Sequence, residues 1–339
     1  MHDLQDSING DQMLHVNGLN IALDRKESGA DLDFISHAHS DHVAGAKSAK
    51  AVFASTPTIE LMNSIYGTDI CDASIIENAE LIDSGHMLGS KQLLINDETL
   101  GMSILYSGDF LLQESTAAPR IAMKNADVLI IDSTYPYPDI TFDEREIVEA
   151  GLQEWTLNAL DSGIVLFGAY AMGKAQELIK ILNMIDIIPV VSKKISYINK
   201  IYEKHGYALK YASAYDPNSE CESMLCNNFV GIVEKRNLES LANMLGCLYS
   251  KRVFTAVATG FAKIFRFGTD AQFALSDHAD FSQSLEYIEQ TGAKTILTYG
   301  PNAKVFAHNL KYASLNARPF SEPYLQASAE YKLAVTSSF

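Results

Sequence analysis

The segment SHAHSDHVAG, residues 36–45, carries His37, His39, Asp41 and His42. Neutral imidazole and carboxylate are donors that Zn²⁺ and Mn²⁺ accept. In a chain with nine histidines, four such side chains in six positions far exceed what a surface loop holds. In extended backbone His37 and His39 point to one side. A turn after them brings Asp41 and His42 round to a second point nearby. His86, between Gly85 and Gly89 in SGHMLGS, and Asp109, in YSGDF, are donors of the same kinds. Each sits at a strand end beside a glycine, where a loop can aim a side chain at a shared site. Three loops feeding one metal site is the expectation.

Those loops need rigid elements behind them. Apolar runs ending in Gly, Asp or Ser predict strands at 19–23, 33–36, 51–54, 79–82, 92–96, 102–106 and 127–132. Ile59, Leu61, Met62 and Ile65 form one face of a helix over 57–65. The prolines of YPYPDI, at 136 and 138, punctuate the chain. Beyond them, helices at 142–160, 173–184 and 193–205 alternate with strands at 164–168 and 253–258, and 211–227 reads as a loop. Strands at 273–275 and 294–299 enclose a helix at 281–291, and VFAHNLKYA continues as a helix that carries His308. The expected fold class is α+β, a mixed frame with an inserted α/β layer. Three segments follow: 1–144, 145–266 and 267–339.

Composition bounds the function. Hydrophobic residues are 47% and charged residues 20% of 339, which fits a packed chain and not a disordered one. The net charge of −16 argues against an ordinary polyanion binder. Its distribution tempers that: 145–266 is close to neutral, and the acidic excess lies in the remainder. Bound cations could supply the local positive charge that the acidic part lacks. No apolar run reaches about 18 residues, so no membrane helix is expected. The polar, acidic start MHDLQDSINGDQ does not read as a signal peptide, and a cytoplasmic location with reduced thiols is expected. Cys221 and Cys226, with Cys247 and His205, match a zinc site only loosely and are read as ordinary thiols.

In order along the chain, HAHSDH, GHMLGS, SGD, DSTY at 132–135, GAYAMGKAQEL at 168–178 and LSDHADF at 275–281 resemble the motifs of the β-CASP nucleases. These are the RNA- and DNA-processing branch of the metallo-β-lactamase fold. The resemblance implies an αββα sandwich with an inserted α/β lid. It implies one metal on His37, His39, His86 and Asp109, and a second on Asp41, His42 and the bridging Asp109. Two zinc ions, or manganese, are the implied cofactors, with Asp41 and Asp109 catalytic through them. Asp24, in IALDRK, stands where the family has an aspartate bracing the histidine loop. His278 matches the histidine read as proton donor, and Asp132 the carboxylate that orients it. One position departs from the pattern. The family places a last histidine on the second metal before a glycine, whereas here Tyr299 precedes Gly300. A neutral phenol, with a reference pKa near ~10, is a poor zinc ligand.

The implied chemistry is phosphodiester hydrolysis by a water activated between two metals about 3.5–4 Å apart. Expected substrate contacts are Lys174, at a helix start after glycine, with Ser133, Thr134, Thr259 and Gly260. The basic pairs Lys193–Lys194, Lys235–Arg236 and Lys251–Arg252 are further candidates. The short chain fits two groups, archaeal-type mRNA 3′-end processing exonucleases and ligase-associated DNA exonucleases. RNA is the leading substrate, single-stranded DNA in a repair setting the alternative, and a catalytically weak scaffold subunit a second alternative. A homodimer or an RNA-processing complex is the expected assembly. A small-molecule hydrolase of this fold would not need the insertion at 145–266.

Overall fold

The computed structural model describes residues 13–27, 29–46, 51–70, 76–215 and 224–321. Cys221 and part of the 211–227 loop lie outside them.

The chain opens with a four-stranded sheet of β1 (Met13–Val16), β2 (Leu19–Leu23), β3 (Leu32–Phe34) and β4 (Val52–Phe53), in that order. Helix α1 (Thr56–Tyr66) follows. The Oγ of Ser55 caps it by accepting from the Thr58 N–H, and Gly67 ends it in the left-handed region. Then come β5 (Ala79–Asp83), β6 (Lys91–Asp97), β7 (Met102–Tyr106) and β8 (Val128–Asp132).

Next the chain leaves this sheet and builds another. Its elements are α2 (Arg145–Ser162), β9 (Ile164–Ala169), α3 (Lys174–Asn183), β10 (Val190–Val191), α4 (Lys193–Lys204), β11 (Ala212–Ser213), β12 (Val230–Glu234), α5 (Leu238–Tyr249), β13 (Val253–Ala258) and β14 (Ala271–Phe273). All its pairings are parallel, in the order β11-β10-β12-β9-β13-β14. The chain then returns through α6 (Phe281–Thr291), β15 (Thr295–Tyr299), α7 (Ala303–Tyr312) and β16 (Ala317–Pro319). Strand β15 pairs with β8, Tyr299 opposite Asp132, and completes the order β16-β15-β8-β7-β6-β5.

The two-residue period of β7 and β8 explains how the layers stack. Ile104, Tyr106, Val128 and Ile130 face the first sheet, where Leu14, Ile21 and Phe34 meet them. Leu105, Leu129 and Ile131 face the other way, onto Tyr287 and Ile288 of α6 and Phe306 and Leu310 of α7. The third sheet is covered on both faces as well. Val165 and Phe167 pack with Leu178 of α3 and Ile195 of α4, while Ile164 and Leu166 pack with Leu238 and Leu245 of α5. Ile35, Ala38, Met87 and Leu88, from the loops that carry His37 and His86, join the α3–α4 core. Among the described residues no helix is long and apolar enough to cross a membrane.

Several elements were not read from the sequence: β1, β10, β11, β12, α5 and β16. Strands β10 and β11 are two residues each and exist only through their parallel neighbours. Helix α5 was legible, since Leu238, Leu241 and Leu245 follow a helical stripe. Strand β14 ends at Phe273, short of the expected 275, because Leu275 already belongs to the loop ahead of α6.

Candidate metal centre

Four strand ends deliver the site. Beyond β3 run residues 35–42, beyond β5 the turn 84–90, beyond β7 Ser107-Gly108-Asp109, and β8 ends on Asp132 itself. Gly108 has φ +52, and a Cβ there would sit 2.7 Å from that of Ser36. Only glycine lets Asp109 approach the histidine loop this closely.

His37, His39, His86 and Asp109 each place one donor atom within 4.8 Å of all the others. His39 Nδ1 is 3.0 Å from His37 Nε2 and 3.1 Å from His86 Nε2. Asp109 Oδ2 is 3.5 Å from His37 Nε2 and 3.7 Å from His86 Nε2. The outer partners fix the tautomers. His39 Nε2–H donates to the Met172 carbonyl at 3.3 Å, and His86 Nδ1–H to the Asp277 carbonyl at 2.8 Å. Ser36 Oγ gives its own proton to Asp24 Oδ2 (2.6 Å), so it accepts from His37 Nδ1–H (2.9 Å). Each imidazole therefore turns a lone pair inward. Burial holds His37, His39 and His86 below the ordinary histidine range, His86 down to about 3, so the lone pairs stay unprotonated. Three converging lone pairs repel one another, and a carboxylate sits beside them. Ligand bonds of about 2.0–2.1 Å in a tetrahedron imply ligand–ligand edges of roughly 3.3 Å. The donor set fits a divalent metal with nitrogen and oxygen ligands.

His42 forms the start of a second position. Its Nδ1–H donates to Asp24 Oδ2 at 2.9 Å, and its Nε2 lies 3.3 Å from Asp109 Oδ2 and 3.7 Å from Asp41 Oδ2. Burial pulls His42 down, but Asp109 and Asp24 outweigh it and hold the imidazolium well above its usual range. Asp109 is the converse: burial would raise it, and His42, His278 and His37 keep it ionised, well below the usual carboxylate range. The Asp41 side chain is 80% exposed and stands at the rim, outside the convergent set.

Asp24 sits directly after β2 at φ +54 and accepts four hydrogen bonds. Ser36 N donates to Oδ1 at 2.6 Å. Ser36 Oγ, His42 Nδ1 and, at 2.8 Å, the Tyr106 hydroxyl donate to Oδ2.

Beside His86, whose ring centroid lies 4.7 Å from its own, His278 bonds Asp132 Oδ2 through Nδ1 at 3.0 Å, and its Nε2 faces Asp109 Oδ2 at 3.8 Å. Burial would lower His278, yet Asp109, Asp132 and Asp277 together hold it up to about 9. Tyr299 turns away from the cluster. Its hydroxyl donates to the Leu23 carbonyl at 2.6 Å, its ring packs on Tyr106, and burial pushes it up to about 12. His308 lies exposed on α7, its ring against Tyr312.

Of the expected substrate contacts, Lys174 needs correction. Lys174 is 1% exposed and ion-paired to Glu177 at 2.6 Å, so its ammonium is spent inside the protein and does not face a strand. The Ser133 hydroxyl donates to the Tyr299 carbonyl, and Thr134 bonds Asp132 Oδ1 through both N–H (3.0 Å) and hydroxyl (2.9 Å). Thr259 caps the short turn Gly260–Lys263. Gly260 lies beneath Tyr135, whose hydroxyl a Cβ would strike. Of the basic pairs, Lys193 and Lys194 are exposed at the start of α4. Lys235 covers the Phe267 ring and Arg252 the Phe254 ring.

Sequence reading missed Asp277. Burial would raise its carboxyl, but Lys174, His278, His86 and His39 hold it well below the usual range. Its position next to His278 was the available signal. The Met172 carbonyl, a backbone partner, left none.

Comparison with known proteins sets this geometry in a family. A "Probable DNA ligase" of Opitutus terrae is 29% identical over 313 residues, 85% of this chain and 28% of that protein. The chain thus spans just over a quarter of that relative. An "Uncharacterized protein in lig 3'region" of Acidianus ambivalens is 33% identical over 132 residues, 38% of this chain and 90% of the other. An "RNase J-like protein" of Methanocaldococcus jannaschii is 29% identical over 195 residues, 46% of this chain and 44% of that one. The chain belongs to the β-CASP nucleases of the metallo-β-lactamase fold. No protein-family model matches the chain. For a β-CASP nuclease, the three inward lone pairs beside Asp109 are the natural place for metal.

Proposed function

We propose that this β-CASP chain is a metal-dependent phosphodiesterase that trims single-stranded nucleic acid. One observation carries the reading: His278, bonded to Asp132 and held up to about 9, turns its Nε2 to Asp109 beside three neutral histidines. A proton source beside a cation seat suits cleavage of a phosphodiester.

In this reading His37, His39, His86 and Asp109 hold one metal, and His42, Asp109 and the rim carboxylate Asp41 the second. Metal bound there supplies Lewis acidity and an acidified water. The protein's own residues do the rest. Asp24 fixes the His42 ring and the backbone at Ser36. Asp132 holds the His278 ring so that Nε2–H points at the pocket, where the leaving oxygen needs a proton. Zinc or manganese suits the donors equally, and Tyr299 adds no ligand to the second position.

We read 145–266 as an inserted lid between 1–144 and 267–339, with its far boundary better drawn after Phe273, since β14 pairs with β13. The pairing of β8 with β15 around the third sheet supports this. The whole would be an αββα sandwich carrying an α/β insertion.

The polymer is the open choice. RNA led the sequence reading, and the RNase J-like relative supports it. The match covering 85% of this chain is to a "Probable DNA ligase", and Tyr299 stands where the family pattern has a histidine. These two observations favour single-stranded DNA, in a setting with a ligase. End-labelled RNA and DNA of one sequence, incubated with Zn²⁺ or Mn²⁺ beside Asp109→Asn protein, decide it. Laddering of DNA that the variant lacks supports the ligase-linked reading, and laddering of RNA restores the first one. Stoichiometric metal with cleavage of neither polymer leaves the scaffold reading.

A further inference from the structure

Three buried charges join the third sheet to the loop that carries His278. Arg145 opens α2, Lys174 opens α3 and Glu177 lies one turn further on, and all three are at most 5% exposed. Lys174 Nζ donates to Glu177 Oε2 at 2.6 Å and to the Leu275 carbonyl at 3.0 Å. The Asp277 carboxylate is 3.9 Å from the same ammonium. Arg145 Nη1 donates to the Ser276 carbonyl at 2.9 Å, while the rest of its guanidinium pairs with Glu177 and, at 3.3 Å, with Glu149. Ser115 Oγ donates to Glu177 Oε1 at 2.7 Å. Two successive carbonyls thus end on two cations that share one carboxylate, immediately before Asp277 and His278.

An ammonium and a guanidinium taken out of water are costly, and packing alone would be better served by apolar side chains. What apolar residues could not do is bind carbonyl oxygens at fixed points. The same loop turns the Asp277 carbonyl onto His86 Nδ1, so its backbone serves a metal-site histidine and the proton donor together.

We infer that Arg145, Lys174 and Glu177 are positioning residues for His278, fixing the backbone from which it delivers its proton. The inference rests on the nuclease reading. It predicts a selective defect, because only a poor leaving group needs that proton. Cleavage of an oligonucleotide expels a sugar alkoxide that must take up a proton, whereas bis(p-nitrophenyl) phosphate releases p-nitrophenolate, which is stable without one. Lys174→Met should lower kcat on the oligonucleotide about 10- to 100-fold with KM nearly unchanged, and kcat on the nitrophenyl ester less than about threefold. Lys174→Arg, which keeps a cation, should restore most of the loss. Equal losses on both substrates, the mark of a merely destabilised protein, would overturn the inference, as would no loss.

Amide hydrogen exchange provides a readout that does not depend on turnover. The His278 and Ala279 amides, bonded to Ser276 Oγ and the Phe110 carbonyl, should exchange about tenfold faster or more in Lys174→Met, while the β7 and β8 amides keep their rates. Unchanged exchange in the loop would refute the holding role. If the wild-type protein cleaves neither substrate with either metal, the nuclease reading fails, and the exchange result still decides whether the cations hold the loop.

Discussion

Replacing Asp24 with alanine should cost the protein both stability and metal. The carboxylate is 3% exposed and accepts from Ser36 N, Ser36 Oγ, His42 Nδ1 and the Tyr106 hydroxyl. Alanine leaves the Ser36 N–H and the Tyr106 hydroxyl buried without an acceptor, at about 1–3 kcal/mol each. The lost charge-assisted bond to His42 adds about 1.5–3 kcal/mol. A total of about 3.5–9 kcal/mol is a large part of the roughly 5–15 kcal/mol that holds a typical domain folded. Urea unfolding followed by circular dichroism measures it, and the Asp24→Ala midpoint should fall with little change in slope. His42 would also lose the partner that sets its tautomer, and metal affinity should drop about 10- to 100-fold. Tyr106→Phe removes one donor and should cost only about 1 kcal/mol. Combined with Asp24→Ala it should recover about 1–3 kcal/mol of the loss, since it removes the hydroxyl left without an acceptor. A destabilisation below about 1 kcal/mol, with metal affinity intact, would refute the account of Asp24 as the brace of this loop.

Further predictions concern charge and packing. His278 is held up to about 9 by Asp109, Asp132 and Asp277 against its burial, so its donor form exists below that pH and is lost above it. Asp132→Asn removes part of that support and should move the alkaline limb of kcat about one pH unit or more towards acid. An unmoved limb would exclude Asp132 as the partner that tunes it. His42 is held well above its usual range, so a metal ligated there must displace a proton. Titration calorimetry in two buffers of different ionisation enthalpy should show proton release at pH 7, and none if His42 is not a ligand. Ile130→Ala, in the fully buried seam between the first two sheets, should cost about 2–5 kcal/mol in the same urea assay. Gly260→Ala would drive a methyl into the Tyr135 hydroxyl and the Ser276 Oγ, and should cost about 1–3 kcal/mol.

Much of the frame could be read from residue order, because β7 and β8 alternate faces and their apolar positions say so. The donor loops were legible for a different reason: imidazoles and carboxylates are rare enough in one short segment to stand out. Lys174 shows where such reading stops. A lysine after a glycine at a helix start looks like an anion contact, and only the approach of Glu177 and the Leu275 carbonyl, 101 residues away, turns it inward. His39 meets a similar limit, since the Met172 carbonyl 133 residues on could be any residue's carbonyl. Helix α5 was missed although its stripe is plain. Strands β10 and β11 were not there to be found until their neighbours pair with them.

The union of β8 with β15 also sets an order of assembly during synthesis. When β8 emerges from the ribosome, His37, His39, His42, His86 and Asp109 have all been made, and the first sheets can form around them. The edge of β8 must then wait for about 160 more residues, on the order of 10–30 s of translation, before β15 arrives to cover it. His278 lies in the same late stretch. The donor cluster of a nascent chain can therefore form well before His278 is made, and an open β edge on a half-made protein is a place where other chains can add. The pairing that closes this edge sets Tyr299 beside Asp132. The strand that closes this edge thus arrives just after the stretch that supplies His278, so the seal on β8 and the partner of Asp132 come late together.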